Sequence, residues 1–238
     1  MQKPPVNSLN LDLLVALRDT LVKLEKEKCK GMILTSESPS VFSAGLDIME
    51  MYRPDHNRAR KFWTTLQDTW IKLYSSPYPT VAAINGHSPA GGCLLALSCE
   101  YRVMVGPKFT IGLNETQLGI VAPFWFQDCM RNAIGERQAE LALTLGKMFS
   151  VDEALKVGLI DEIAKDKADA ISKAEDFLDE QSGLPALARS TVKVAFREAT
   201  LNRLLKNREA DTKMFLDFIS MPKVQQALEM YMQTLKKK

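Results

Sequence analysis

Histidine is the scarcest ionisable residue of this 238-residue chain, which contains only His56 and His87. A catalytic triad or a zinc site built on histidine is therefore nearly excluded. The four cysteines form no Cys-x-x-Cys pair, and no histidine stands at metal-ligand spacing from them. We expect free, mostly buried thiols in a reducing compartment, and no metal site.

A large excess of charge is also missing, since 31 basic and 29 acidic residues give a formal net charge of +2. The basic residues form no stripe, which argues against nucleic acid as a partner. No apolar run approaches the roughly 20 residues of a membrane span, and the first residues lack the layout of a targeting signal. With 46% apolar and 25% charged residues, the chain has the composition of a globular protein with a sizeable core.

The apolar pattern predicts short strands that alternate with helices. Buried strands are expected at residues 32–36 and 80–85, with helices before and after the first of them. Asn7 or Ser8 is expected to cap the leading helix, and Gly31 suits its end.

Further along, "YRVMVG" and "FTIGL" are predicted to be short strands on either side of Gly106 and Pro107. Their connection is expected to be either hairpin-like or offset. From Ala122 onward the pattern is mainly helical, and amphipathic helices run to the C-terminus. Strands alternating with helices, followed by a helical tail, indicate an α/β core with an α-helical extension.

Two segments with glycine stand where a strand gives way to a helix. In "FSAGLD", Gly45 permits a tight turn that presents the amide of Leu46, although an ordinary loop with Asp47 as a helix cap fits as well. In "SPAGGCLLALSC", Gly91 and Gly92 allow close approach to a helix N-terminus, whose unpaired amides suit a developing negative charge. Close packing of that helix against the preceding strand is the alternative.

A third segment, "IGLNETQLGIVAPFWF", carries a single carboxylate, Glu115, among apolar and aromatic residues. Burial there would raise the pKa of the carboxyl group toward the range useful for moving protons. A capping or surface glutamate in a loop is the alternative. Together, the three segments supply the parts for enolate chemistry: two amides that hold a thioester oxygen and a base that takes the neighbouring proton.

These three segments resemble, in order and spacing, the signatures of the crotonase, or enoyl-CoA hydratase/isomerase, superfamily, and the similarity covers nearly the whole chain. The resemblance implies a spiral of ββα turns with a helical C-terminal region. Within the superfamily, the match is closest to the mitochondrial Δ3,Δ2-enoyl-CoA isomerases. The hydratases use two glutamates, but Leu94 occupies the first of these positions, and only the second is kept, as Glu115. This departure favours a double-bond shift over hydration, because the shift needs only one base.

The isomerase resemblance implies a role for each matched residue. Glu115 would carry a proton from the α-carbon to the γ-carbon of a 3-enoyl-CoA, while the amides of Leu46 and Gly91 hold the dienolate oxygen. Leu94 would keep water out. Coenzyme A belongs to the substrate, so no cofactor is expected. The implied acyl-CoA contacts are Ala44, Gly45, Leu46, Asp47, Ile48, Gly91 and Asn114.

Two rival functions remain open at the level of sequence. Another crotonase reaction, either hydration or thioester hydrolysis, would need a second acid or base, for which Asp47 and Glu100 are the candidates. A non-catalytic relative that binds acyl-CoA or RNA would not need Glu115, and RNA binding would require clustered basic and aromatic residues.

The resemblance also carries expectations about the whole molecule. It divides the chain into a ββα core, residues 1–183, and a helical trimerisation region, residues 184–238, so a homotrimer is expected. Phe215, Phe218 and Ile219 could serve that assembly or an intramolecular core. The family begins with a strand hairpin before the segment that resembles "PPVNSL", so we expect N-terminal strands to be missing here. A mitochondrial matrix location is implied, with the presequence absent from this chain.

Overall fold

Seven short strands form two sheets in the computed structural model, which describes residues 1–236. The strands are β1 (Met32–Leu34), β2 (Thr80–Ile84), β3 (Ser88–Pro89), β4 (Tyr101–Val105), β5 (Thr110–Gly112), β6 (Phe149–Ser150) and β7 (Glu162–Ala164). A parallel sheet has the order β1-β2-β4-β7, and a smaller sheet has the order β3-β5-β6. Parallel neighbours need crossover connections, and helices supply most of them.

The helices are α1 (Leu11–Lys26), α2 (His56–Tyr74), α3 (Gly91–Ser98), α4 (Phe124–Ile134), α5 (Glu136–Leu145), α6 (Val151–Val157), α7 (Lys167–Gln181), α8 (Ala186–Ile219) and α9 (Pro222–Lys236). Two short 3-10 helices, Ile48–Glu50 and Glu115–Leu118, lie in loops that carry candidate site residues. This mixed architecture with a helical C-terminal part confirms the predicted α/β fold class. In the described part of the chain, no helix is long and apolar enough to cross a membrane.

The bounds of α1 differ from the prediction. Asn10 caps the helix, because its side chain accepts a hydrogen bond from an amide of the first turn, so the predicted caps Asn7 and Ser8 were wrong. The helix also ends at Lys26 and not near Gly31, because a residue in the left-handed conformation closes the turn earlier.

The predicted strands on either side of Gly106 and Pro107 do not form a hairpin. β4 pairs in parallel with β2 and β7, whereas β5 pairs with β3 and β6 in the smaller sheet. The offset connection is therefore the correct one of the two alternatives. It carries the chain out of the parallel sheet and into the sheet that supports the candidate site.

One apolar core joins both sheets to the helices. It includes the fully buried Trp70 and Trp125, whose ring centroids lie 5.1 Å apart. Phe215 and Ile219 of α8 also belong to this core, so they pack within the chain. All four cysteines are free and three are buried, as predicted. The division at residue 184 remains a prediction, and the last two residues of that region lie outside the described residues.

Candidate active site

The smaller sheet brings two of the three candidate segments together. β3 runs parallel to β5, with Ser88 opposite Ile111 and Pro89 opposite Gly112. The chain leaves β3 into α3 and leaves β5 into the 3-10 helix that begins at Glu115. Because parallel strands end at the same edge, both exits lie side by side. A hydrogen bond of 2.8 Å from the Ala90 amide to the Gly112 carbonyl oxygen fastens them.

The N-terminus of α3 has an unusual backbone. Ala90, the residue before the helix, has a φ of +48° and a ψ of −121°, a conformation that alanine rarely adopts and that the surrounding contacts must maintain. No side chain caps the helix, and within residues 1–236 the Gly91 amide donates no hydrogen bond. The first amide of a buried helix is therefore free, at the positive end of the helix dipole.

The "FSAGLD" loop lies directly against this helix start. Gly45 has a φ of +87°, and a Cβ atom built on it would lie 3.1 Å from the Gly91 amide nitrogen. A Cβ atom built on Gly91 would lie 3.2 Å from the Leu46 amide nitrogen. Within the described chain, the Leu46 amide also lacks an acceptor, because the flanking backbone groups pair with Leu9 instead. Two free amides from separate loops thus lie next to each other, as an oxyanion hole requires.

Glu115 is buried at the same sheet edge, with 5% of its surface exposed. Neither carboxyl oxygen has a hydrogen-bond partner among the described residues. Burial is the dominant cause that raises the pKa of Glu115 to about 7. Burial first, and then the charge of Glu115, raise the pKa of the Cys93 thiol in α3.

The candidates for a second acid or base have other partners. Asp47 caps the 3-10 helix Ile48–Glu50, since its carboxylate accepts a hydrogen bond from the Met49 amide. Glu100 forms ion pairs with Arg189 and Lys193 of α8. Leu94 is fully buried in α3.

The remaining predicted contact residues lie on the two loops that carry Leu46 and Glu115. Ala44 and Ile48 are half-buried on the same loop, and the Ala44 amide donates to the Val6 carbonyl oxygen. Asn114 precedes Glu115, and its buried side-chain oxygen has no hydrogen-bond partner among the described residues. Their roles in binding the acyl-CoA remain predictions.

An apolar cleft beside the Glu115 turn was missed by sequence reasoning. It encloses about 740 Å³ between the loop that leads into α4 and the middle of α8. Its lining residues are Trp63, Val121, Ala122, Pro123, Phe124, Gln127, Arg203, Asn207, Ala210, Asp211, Met214, Phe215 and Phe218. Asn207 has non-helical backbone angles and kinks α8 at the cleft. The α8 positions are remote in sequence from Glu115, and no motif connects them to it.

The described residues contain no cluster of three or more histidine, cysteine, aspartate or glutamate side chains that could hold a metal ion. The groups that the site offers for chemistry are the Glu115 carboxyl, the two free amides and the apolar walls.

Comparison with known proteins places this chain in a family. The chain matches the family described as enoyl-CoA hydratase/isomerase over residues 1–238. It is 50% identical over 240 residues to enoyl-CoA delta isomerase 1, mitochondrial, of Mus musculus, with 100% of this chain and 83% of that protein covered. The Homo sapiens protein of the same name is 46% identical over 237 residues, covering 99% of this chain and 78% of that protein.

Solved structures give the same picture. The crystal structure of human mitochondrial delta3-delta2-enoyl-CoA isomerase matches with a TM-score of 0.96 and 46% identity, covering 99% of this chain and 92% of that chain. Enoyl-CoA hydratase from Bacillus halodurans matches with a TM-score of 0.84 at 24% identity over 93% of this chain and 90% of that chain, and so shares the fold.

Fold and site together define the class of protein: a crotonase-fold enzyme whose free amides and buried carboxyl suit enolate chemistry. The chain belongs to the enoyl-CoA hydratase/isomerase family. Its relatives of high identity within that family carry the name enoyl-CoA delta isomerase.

Proposed function

We propose that this chain is an enoyl-CoA delta isomerase, which converts 3-cis- and 3-trans-enoyl-CoA to trans-2-enoyl-CoA in the β-oxidation of unsaturated fatty acids. The observation that carries the proposal is the buried Glu115, whose carboxyl has no hydrogen-bond partner among the described residues and a pKa of about 7. It lies at the sheet edge that carries the two free amides. Full-length similarity to enoyl-CoA delta isomerases supports the same activity.

One carboxyl serves as base and then as acid. With a pKa of about 7, Glu115 is present in both protonation states near neutral pH. Its carboxylate takes a proton from the α-carbon, and the electrons of that C–H bond move into the thioester carbonyl to give a dienolate. The carboxylic acid then returns the proton to the γ-carbon, which leaves the double bond between the α- and β-carbons. The reaction neither gains nor loses an atom.

The dienolate oxygen is held by the amides of Leu46 and Gly91. Both donors are fixed before the substrate arrives, so they stabilise the developing charge without reorganisation. The dipole of α3 adds to this stabilisation at the Gly91 end. The scheme uses no metal and no cofactor, since coenzyme A enters and leaves as part of the substrate.

Leu94 favours isomerisation over hydration. Its side chain is fully buried in α3, where the hydratases of the family carry their first glutamate, and an apolar group there cannot hold or activate water. Asp47 and Glu100 cannot easily replace that glutamate, because the first caps a 3-10 helix and the second is paired with two basic side chains.

The apolar cleft provides a site for the acyl chain. Its wall at Val121 to Pro123 follows the Glu115 turn, and the Ile120 amide donates to the Glu115 carbonyl oxygen at 3.2 Å. Burying methylene groups against such walls is favourable, at about 0.8 kcal/mol for each group. We therefore assign the part of the acyl chain beyond the reacting carbons to this cleft.

We further propose a mitochondrial matrix location and a homotrimeric assembly. The relatives of high identity are named mitochondrial, which supports the location. Two apolar side chains in the first half of α8 support an assembly, because Leu187 is 80% exposed and Phe196 is 84% exposed.

Substitution of Glu115 tests the mechanism. In Glu115→Gln neither proton transfer can proceed, so we expect kcat for a 3-enoyl-CoA to fall by about a thousandfold. The rise in absorbance of the conjugated 2-enoyl thioester measures the rate. Glu153→Gln, the same substitution at an exposed position in α6, is the matched control and should retain full activity. An active Glu115→Gln enzyme would refute the role given to this residue.

The rival reaction is tested with the other substrate. When trans-2-enoyl-CoA is offered to the wild-type protein, we expect its conjugated absorbance to persist. Rapid loss of that absorbance with formation of the 3-hydroxy product would assign the protein as a hydratase.

A further inference from the structure

Asn7 is a buried residue with an uncommon backbone conformation. It is 2% exposed and has a φ of +51°, in the left-handed region that residues other than glycine seldom occupy. Asparagine tolerates this region best among such residues, because its side chain can form local hydrogen bonds. Here the side-chain oxygen accepts from the Lys3 amide at 2.6 Å, and the Asn7 amide donates to the Lys3 carbonyl oxygen at 2.8 Å.

The other polar groups of Asn7 reach the loop that carries the Leu46 amide. The side-chain nitrogen donates to the Ser36 hydroxyl at 2.7 Å and to the Phe42 carbonyl oxygen at 3.2 Å. The Asn7 carbonyl oxygen accepts from the Ser43 hydroxyl at 2.8 Å, and that hydroxyl accepts from the Gly45 amide at 3.2 Å. A buried chain of hydrogen bonds thus ends one residue before Leu46.

Leu9 forms backbone hydrogen bonds with the residues on both sides of Leu46. The Leu9 amide donates to the Gly45 carbonyl oxygen at 2.8 Å, and the Leu9 carbonyl oxygen accepts from the Asp47 amide at 3.2 Å. Both neighbours of Leu46 are therefore fixed while its own amide stays free. The Leu9 side chain also leaves no room for a side chain at Gly91, since its Cδ1 atom would lie 3.0 Å from a Cβ atom built there.

We propose that Asn7 is a positioning residue for the oxyanion hole. Because of its left-handed conformation, the Asn7 carbonyl oxygen faces Ser43, and the residues after Asn7 run alongside the "FSAGLD" loop. In this way Asn7 fixes the position of the Leu46 amide relative to the Gly91 amide. This inference rests on the proposed function, because an oxyanion hole must be held to within about 0.5 Å to be effective. Asn7 touches neither the substrate nor the reacting atoms.

Three variants separate the contributions of Asn7. Asn7→Gly keeps the left-handed turn and removes the side chain. Asn7→Asp keeps the side-chain shape but places an oxygen against the Phe42 carbonyl oxygen. Ser43→Ala removes only the hydroxyl between Asn7 and Gly45, and it decides the question if the Asn7 variants do not fold. Thr69→Ala is the matched control, because it deletes a buried hydroxyl that donates to the Leu14 and Thr65 carbonyl oxygens.

Two measurements report on the oxyanion hole. The first is kcat and KM for a 3-enoyl-CoA. The second is the enolate absorbance of bound acetoacetyl-CoA, whose enolate carries its charge on the thioester and ketone oxygens. Thermal unfolding of each variant provides the comparison of stability.

We expect Asn7→Gly, Asn7→Asp and Ser43→Ala to lower kcat by about tenfold or more, with KM changed by less than about twofold. The enolate absorbance of bound acetoacetyl-CoA should also fall in each of these three variants. Thr69→Ala should lose stability but retain kcat and the enolate signal. If the variants retain both signals, or if Thr69→Ala loses them equally at the same loss of stability, Asn7 is only a structural residue and the inference is overturned.

The outcomes also distinguish this inference from the proposed function. A wild-type protein without isomerase activity refutes the proposed function, while the acetoacetyl-CoA measurement still tests Asn7. An active wild type whose Asn7 and Ser43 variants keep full kcat and enolate absorbance refutes only the inference.

Discussion

At the scale of single residues, the burial of Glu115 works against folding. Its carboxyl is buried without a hydrogen-bond partner in residues 1–236, so its charged form is more costly in the folded chain than in the unfolded one. The same desolvation gives the group a pKa suited to accepting and returning a proton. Activity and stability therefore make opposite demands on this side chain.

This conflict predicts a pH-dependent effect of Glu115→Gln on stability. The folded pKa of about 7 lies above the unfolded value of 4.5, so the folded state binds the proton more tightly. The free energy of unfolding of the wild type should therefore fall as pH rises from 4.5 to about 7, by about 3 kcal/mol from this group.

Glu115→Gln lacks this ionisation. Denaturant unfolding at several pH values should show that the variant gains stability over the wild type as pH rises, with the full gain above pH 7. A constant difference between the two proteins from pH 4 to pH 8 would contradict the raised pKa of Glu115.

Leu94 provides the second prediction at this scale. In Leu94→Glu, α3 gains a buried carboxyl that can hold water, so isomerase activity should fall and slow hydration of trans-2-enoyl-CoA should appear. Leu94→Met, which preserves volume and polarity, is the control and should remain an isomerase without hydratase activity. Product analysis by chromatography measures both reactions.

The sequence revealed residues whose chemistry conflicts with their neighbours. Glu115 stood out as a lone carboxylate in an apolar stretch, and Gly45 as a residue that permits the positive φ of +87° found there. Asn7 was wrongly predicted as a possible helix cap, because an asparagine before an apolar run is typical of that position. Its left-handed conformation is supported by hydrogen bonds to Lys3 and to residues about 30 to 40 positions away, and no local pattern encodes the distant ones.

At the scale of elements, the two ends of α3 have different surroundings. Its first amide is free beside the oxyanion loop, whereas its last carbonyl oxygens at Ser98 and Cys99 accept from Arg197 of α8. Arg197 also donates to the Tyr74 carbonyl oxygen at the end of α2. A cation at a helix C-terminus is favourable. The α8 helix therefore holds the far end of the helix whose near end contributes to the site.

The kink of α8 gives an element-scale prediction about chain length. Ala210 is an exposed residue that lines the cleft just after the kink at Asn207. In Ala210→Trp the indole should fill the cleft, so kcat/KM for long 3-enoyl-CoA substrates should fall by about tenfold or more. The shortest substrates are the internal control and should be turned over normally. Equal losses at every chain length would refute the assignment of the cleft.

Sequence patterns predicted the existence of most elements but not their pairing. Four of the seven strands in the described chain, β1, β2, β4 and β5, were placed within a few residues, because short apolar runs bounded by turn residues are a local signal, whereas the short β3, β6 and β7 were not predicted. That β3 and β5 share a sheet, while β4 belongs to another, depends on contacts across the chain. The cleft could not be predicted from sequence patterns either, since its lining residues from α2, the α4 loop and α8 meet only after folding.

At the scale of the whole molecule, the exposed face in the first half of α8 predicts assembly. In Phe196→Asp, a charge replaces an apolar side chain that is 84% exposed, so we expect the proposed trimer to dissociate. Met230→Asp, at an apolar site of α9 that is 60% exposed, is the control and should leave the assembly unchanged. Sedimentation velocity measures the mass, and a monomeric wild type would refute the proposed trimer.

The hydrogen bonds between residues 7–9 and the "FSAGLD" loop have a practical consequence for anyone who shortens or tags the protein. The first ten residues supply no group to the proposed reaction, yet they hold the loop that carries the Leu46 amide. Removing these residues would also remove the buried Leu9 and the Asn10 cap of α1, so a shortened protein should lose stability together with activity. Any tag or deletion at this end therefore calls for a measurement of folding beside that of turnover.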